Sequence, residues 1–296
     1  MNDREKLLAA GIALGAVALY GFTRGNPVTG AMFLDGLASA PFPDQSGPGA
    51  AVVVPPQFPS SGPVRVCVYV RGFLNCVENV LSATGVPCSP GGRAHPPSNL
   101  ESQLVGSGSD TLLVLPELRR EAQSGDPGRL SRGGSFAAFL DEVFARIAPA
   151  IGRSMTIADV GHLGLMSHSG GYQTIASIIR QRPAALRSVA LLDSLYGNQP
   201  TFSDWITSNV RGFAPSGSFR FANLYTSTGG TGAKSRELAS VVQGAFLSAN
   251  MSDEFLFDDD ASTPIDYSRH AIFKHVPESH DNTARLYPRR LWAAGW

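Results

Sequence analysis

The sequence predicts an α/β fold, a mostly parallel central sheet with helices on both faces. Two observations carry the prediction. From residue 64 onward, short β-branched and apolar runs alternate with longer runs whose apolar residues recur at helical spacing. The strand-like runs are apolar almost throughout, as strands covered on both faces must be. A chain of 296 residues with 43% hydrophobic content can bury such a core. Lys+Arg (24) equals Asp+Glu (24), so no basic footprint marks a nucleic-acid binder, and none is expected.

Residues 1–23 form an apolar amino-terminal segment. "LLAAGIALGAVALYGF" (7–22) carries no charge and falls between the length of a signal core and that of a spanning helix. The expectation is an apolar helix that anchors the chain or serves as an export signal. It makes residues 7–22 the chain's expected membrane contact and implies a membrane-anchored or secreted protein. Residues 24–63 are rich in Pro, Gly and Ser and read as a linker or surface-draped arm. A single folded domain then spans 64–296.

Within it, "VRVCVYV" (64–70) and "TLLVLPEL" (111–118) read as strands, and "SFAAFLDEVFARIAPAIG" (135–152) as a helix with Ser135 as its N-cap. "LGLMS" (163–167) is a strand, "GYQTIASIIRQR" (171–182) a helix, "SVALLD" (188–193) and "FRFANLYT" (219–226) strands. "AKSRELASVVQGAFLSAN" (233–250) is a helix, "AIFKHV" (271–276) the last strand and "NTARLYPRRLW" (282–292) the last helix. Cys67 sits in a strand run and reads as a small buried hydrophobe. Cys76 and Cys88 flank a loop-like segment; a disulfide and two free thiols both fit.

In "GLMSHSGGYQTIA" (164–176), Ser169 falls between a strand run and a helix run. A sharp turn there strains its central residue and requires small residues two positions away, here Ser167 and Gly171. At a helix N-terminus, developing negative charge on such a serine is favoured. In this the chain resembles the α/β-hydrolase superfamily over roughly residues 64–296, with Ser167 in place of the usual first glycine. The resemblance implies a nucleophile elbow at Ser169, then an acid and a histidine in that chain order. Asp193 ends the next strand, while the later "STGGTG" loop offers no carboxylate. His280 lies between the last strand and the last helix, where the superfamily keeps its catalytic histidine. The oxyanion hole implied by the resemblance is the N–H of Gly170 and that of Phe73. Phe73 belongs to "RGFLN" (71–75), with Arg71 in the place of the superfamily's histidine.

Gly72, His168, Tyr196 and Trp205 are candidates to line the pocket. "SLYGNQPTFSDWITSNVRGF" (194–213) is a candidate lid offering Phe202 and Trp205. "SDEFLFDDDASTPIDYSRH" (252–270) reads as a solvated acidic loop, and Arg119, Arg120, Arg129 and Arg132 read as surface pairs or as holders of an anionic group. His162 reads as structural, and His275 as a packed or surface residue. The His and Asp residues show no metal-ligand spacing, and neither metal nor cofactor is expected. The function expected is a serine hydrolase cleaving a carboxylic ester of a small-molecule or lipid-like acyl substrate. A peptidase or amidase with the same triad, or a non-catalytic binding protein on this scaffold, are the alternatives.

Overall fold

Apolar alternation turns into layers in the computed structural model, which describes residues 29–120, 122–212 and 219–296. The described residues contribute nine strands: β1 Gly30–Leu34, β2 Ala50–Val54, β3 Val64–Val70, β4 Leu112–Pro116, β5 Val160–His168, β6 Leu186–Leu192, β7 Arg220–Tyr225, β8 Phe255–Asp258 and β9 Ala271–His275. They form one sheet in the order β1-β2-β4-β3-β5-β6-β7-β9-β8. Strand β2 runs antiparallel to both its neighbours, and every other pairing is parallel.

The helices are α1 Val77–Leu81, α2 Leu100–Ser107, α3 Ser135–Ile151, α4 Tyr172–Arg180, α5 Gln199–Arg211, α6 Gly232–Ser248 and α7 His280–Ala293. Successive strand residues point to opposite faces. Val64, Val66, Val68 and Val70 of β3 thus pack with α3, α4, α5 and α6 through Phe139, Ile175, Phe202 and Leu238. Cys67 and Tyr69 pack on the other face with α1, α2 and α7 through Val77, Leu104 and Leu291.

Four expectations are corrected. The stretch 24–63 is not only a linker: β1 and β2 lie within it, and Ala50–Val54 are buried throughout. Its Pro/Gly-rich composition describes the turns around the strands and masked the short apolar run "AAVVV". The lid expected at 194–213 is instead mostly α5, which buries Phe202, Ile206 and Val210 in the core. The acidic segment is not a plain loop: Phe255–Asp258 form the edge strand β8, and Asp258 pairs with the buried Lys274 at 2.7 Å. Gly134, not Ser135, caps α3, and the Ser135 hydroxyl donates to the Arg132 carbonyl instead.

Cys76 and Cys88 form a disulfide, and Cys67 is a buried free thiol. The apolar segment 7–22 lies outside the described residues. Among those described, no helix is long and apolar enough to cross a membrane.

Candidate active site

At the carboxyl end of β5 the chain turns sharply. Ser169–Gly171 make a single tight turn, and α4 starts at Tyr172. Ser169 has φ of +54°, a left-handed conformation that costs a side-chain-bearing residue energy. The surroundings enforce it. A Cβ on Gly171 would stand 2.6 Å from the Val70 carbonyl and 3.1 Å from the Ser167 Cβ, so only small residues fit two positions from Ser169. Ser167 does more than fit. Its hydroxyl lies 2.8 Å from that of Ser194, which donates to the Ser169 carbonyl at 2.6 Å. Two buried hydroxyls thereby hold the strained peptide, a task a glycine at 167 could not share.

The turn after β3 lies directly over Ser169. A Cβ on Gly72 would sit 2.7 Å from the Ser169 Cβ and 3.3 Å from its Oγ, so only glycine allows this approach. The Phe73 ring covers Gly170 so closely that a Cβ there would overlap it at 1.8 Å. Phe73 itself is 39% exposed.

The turn is fixed from below by a buried ion pair. Arg71 Nε donates to Glu117 Oε1 at 2.8 Å, and the remaining guanidinium nitrogens donate to the carbonyls of Gly72, Leu118 and Arg119. The second Glu117 oxygen accepts from the Val77 N–H at 3.0 Å. Burial raises the Glu117 carboxyl above its ordinary range, against the pull of Arg71. Leu74 N–H donates to the Ala122 carbonyl, and the Cys76–Cys88 disulfide follows at once.

Asp193 follows β6 and is fully buried. It accepts from His280 Nδ1 at 2.7 Å, from the Thr226 hydroxyl at 2.6 Å and from the Thr231 hydroxyl. The Thr226 N–H adds a bond at 3.2 Å. Burial alone would raise this carboxyl, but bonds from His280, Thr226 and Thr231 outweigh it and hold Asp193 below the ordinary value. A Cβ on Gly229 would overlap the carboxylate at 1.8 Å, so the "STGGTG" loop is glycine where it crosses Asp193. With Nδ1–H bonded to Asp193, His280 keeps a lone pair on Nε2.

His280 is the first residue of α7 and is half-exposed at the rim. Its carbonyl accepts from Thr283 and lies 3.1 Å from His168 Nε2. The rings of His168 and His280 lie 4.6 Å apart. Burial, then the neighbouring His280, push His168 down to about 4, so it is neutral near pH 7. A Cβ on Gly72 would lie 3.2 Å from His168 Nδ1, so this ring also borders the turn over Ser169. The Tyr196 ring stands 6.3 Å from His280 and 6.0 Å from Tyr172.

The structure thus gathers Ser169, Gly170, Gly72, Phe73, His168, Asp193, His280 and Tyr196 at one rim of the sheet. Among the described residues no hydrogen bond joins the Ser169 hydroxyl to His280. Trp205 is not brought to this rim: it packs edge-on to Phe219 at 5.9 Å and against the core. Arg119 lies over the Phe42 ring, Arg120 pairs with Glu78, and Arg129 donates to the Ala38 carbonyl, so these three serve the scaffold. His162 bonds to Ser188, and His275 stacks on Tyr225.

Glu117, Ser194, Thr226 and Thr231 escape the sequence reading. The signal for the first was a carboxylate ending an apolar strand run. For the threonines it was a hydroxyl-rich loop at the place where an acid was absent. His168, His280 and Asp281 bring metal-capable atoms within 4.8 Å of one another, but His280 Nδ1 is already engaged by Asp193.

No family model matches the chain, and no curated protein matches it in sequence. Solved structures do match its fold. A serine-to-alanine mutant of the feruloyl esterase module from Clostridium thermocellum, complexed with sinapinate, is 12% identical with a TM-score of 0.52, covering 93% of this chain and 96% of its own. The S-formylglutathione hydrolase of Staphylococcus aureus is 11% identical with a TM-score of 0.51, covering 93% and 100%. A fluorophosphonate-binding serine hydrolase of Staphylococcus aureus is 11% identical with a TM-score of 0.50, covering 92% and 100%. Sheet order, the single antiparallel strand and these likenesses converge: the chain has the α/β-hydrolase fold.

Proposed function

We propose that the chain is a serine hydrolase that cleaves carboxylic esters through an acyl-enzyme. Ser169 Oγ attacks the acyl carbonyl carbon while His280 Nε2 takes its proton. The tetrahedral oxyanion accepts from the N–H groups of Gly170 and Phe73. His280 then gives the proton to the leaving alkoxide, and the C–O bond breaks. Water attacks the acyl-enzyme by the same route, with His280 again as base, and releases the acid. Asp193 keeps the proton on Nδ1 and stabilises the imidazolium.

The observation that carries this reading is the Asp193–His280 bond of 2.7 Å beside a serine held at φ +54° under a glycine turn. The aromatic rings of Phe73, Tyr172 and Tyr196 around the rim suit an ester whose acyl or alcohol part is small or flat. An export route or an amino-terminal anchor at 7–22 fits the composition of that segment.

The test is labelling by a fluorophosphonate probe, with turnover of p-nitrophenyl esters of rising acyl length. The wild-type chain should label and prefer short acyl groups, and Ser169→Ala should do neither. A wild-type chain that never labels and turns over no ester refutes the proposal.

A further inference from the structure

Beyond the rim, α2 and α7 pack side by side and leave a groove of about 470 Å³ between them. Arg285, Leu286, Arg289 and Arg290 of α7 line it with Asn99 and Ser102 of the α2 side. All three arginines are exposed, and Arg290 also lies over the Tyr287 ring at 5.4 Å and beside the Tyr267 hydroxyl. Among the described residues no carboxylate lies within ion-pair reach of any of them, whereas Arg71, Arg120, Arg236 and Arg269 each have one.

The patch is also apolar. Leu286 is 42% exposed and Val105 on α2 is 40% exposed, two of the few large hydrophobic side chains left in water. Arg289 lies against α2 itself, its guanidinium carbon 3.4 Å from where a Cβ on Gly106, the neighbour of Val105, would stand. Arginines interleaved with exposed aliphatic side chains suit the boundary between lipid headgroups and acyl chains, where cations meet phosphates and the aliphatics enter the apolar layer.

A second observation, independent of the patch, points to the same partner. The chain enters the fold beside α2: the Ala31 N–H donates to Glu101 Oε1 at 3.2 Å, and β1 starts at Gly30. The uncharged apolar run 7–22 precedes this entry by residues 23–29, a stretch that can reach at most about 25 Å. The apolar run is thus tethered, within that reach, to the point where the chain meets α2, the helix that forms one wall of the groove.

We propose that the α2–α7 face docks on an anionic phospholipid surface. Arg285, Arg289 and Arg290 take the phosphates, Leu286 and Val105 enter the headgroup boundary, and 7–22 supplies the apolar hold. The orientation of the catalytic rim toward the membrane is then set by the fold and not by the linker alone.

The test is flotation of the full chain with phosphatidylcholine vesicles and with phosphatidylcholine vesicles doped with phosphatidylglycerol, each at low and high salt. Binding to the doped vesicles should be stronger and should weaken with salt. The Arg285→Gln/Arg289→Gln variant should lose about thirtyfold in partitioning, with its thermal melt unchanged. Equal binding to both vesicles, insensitivity to salt, or an undiminished double variant overturns the proposal. So does tight binding to heparin with none to vesicles. If the double variant does not fold, the lipid-charge and salt comparisons on the wild-type chain decide alone.

Discussion

Replacing Arg71 by alanine tests how the turn over Ser169 is held. The guanidinium and the Glu117 carboxylate are 1% and 0% exposed, so removing the cation leaves a buried anion with only Arg120, 3.6 Å from its other oxygen, and frees the carbonyls of Gly72, Leu118 and Arg119. Breaking one partner out of such a pair costs about 3–5 kcal/mol. In a chain of 296 residues that lowers the melting temperature by roughly 5–8 °C. The turn also carries the Phe73 N–H of the proposed oxyanion hole, and losing one such donor costs about 10²–10³ in turnover. The double variant Arg71→Met/Glu117→Gln removes both charges and should recover the part of the loss that comes from the unpaired charge, because burial works against each charge separately, while the three carbonyls stay unpaired. It should not recover turnover, since nothing then bonds the Gly72 carbonyl. Thermal melts and p-nitrophenyl acetate hydrolysis on the three variants read both quantities. An Arg71→Ala chain that melts within a degree of the wild type, or a double variant as unstable as the sum of its single changes, refutes the reasoning.

On the proposed mechanism Asp193→Asn should lower turnover by roughly 10⁴, because the amide no longer fixes the His280 proton on Nδ1; the readout is kcat at a temperature where a thermal melt shows the variant folded. Ser194→Ala leaves the Ser169 carbonyl and the Ser167 hydroxyl without their shared partner, and should cost about 1–3 kcal/mol in denaturant unfolding. His162 is held down to about 4 by burial first and then by Arg65, Arg187 and Arg220. Unfolded, it takes a proton near 6.5, so its stabilising effect is whole above that pH and is lost as pH falls toward about 4. That loss is at most about 3 kcal/mol, and His162→Gln should flatten the melting curve across the window. Reduction of Cys76–Cys88 should lower unfolding stability by about 2–3 kcal/mol, measured with and without dithiothreitol.

What the sequence disclosed follows from how local each signal is. The strand run 64–70, the helix at 172–180 and the serine between small residues are patterns of near neighbours, and the structure places β3, α4 and the strained turn there. Asp193 and His280 were legible through chain order alone. Their bond, across a separation of 87 residues, was an expectation that only coordinates could join. The supporting groups were less visible. Thr226, Thr231 and Ser194 are ordinary hydroxyls in sequence and acquire meaning only from the carboxylate and carbonyl they face. Trp205 misled because an aromatic residue on an amphipathic helix looks the same whether its apolar side meets a substrate or Phe219. The strands β1 and β2 were hidden because glycine and proline dominate their surroundings, and composition averaged over 24–63 conceals two five-residue runs.

The pairing of β2 with β4 has a practical consequence for anyone trimming this protein. Cutting at the start of β3, where the sequence alone would place the domain boundary, strips the outer ribbon and bares the flank of "LLVLP". That flank is straight, uncharged and greedy for backbone partners, the profile of a seed for intermolecular sheet growth. A truncated product begun at Val64 should therefore precipitate on expression, while one begun just before Gly30 keeps its own amino-terminal ribbon as the guard on that edge.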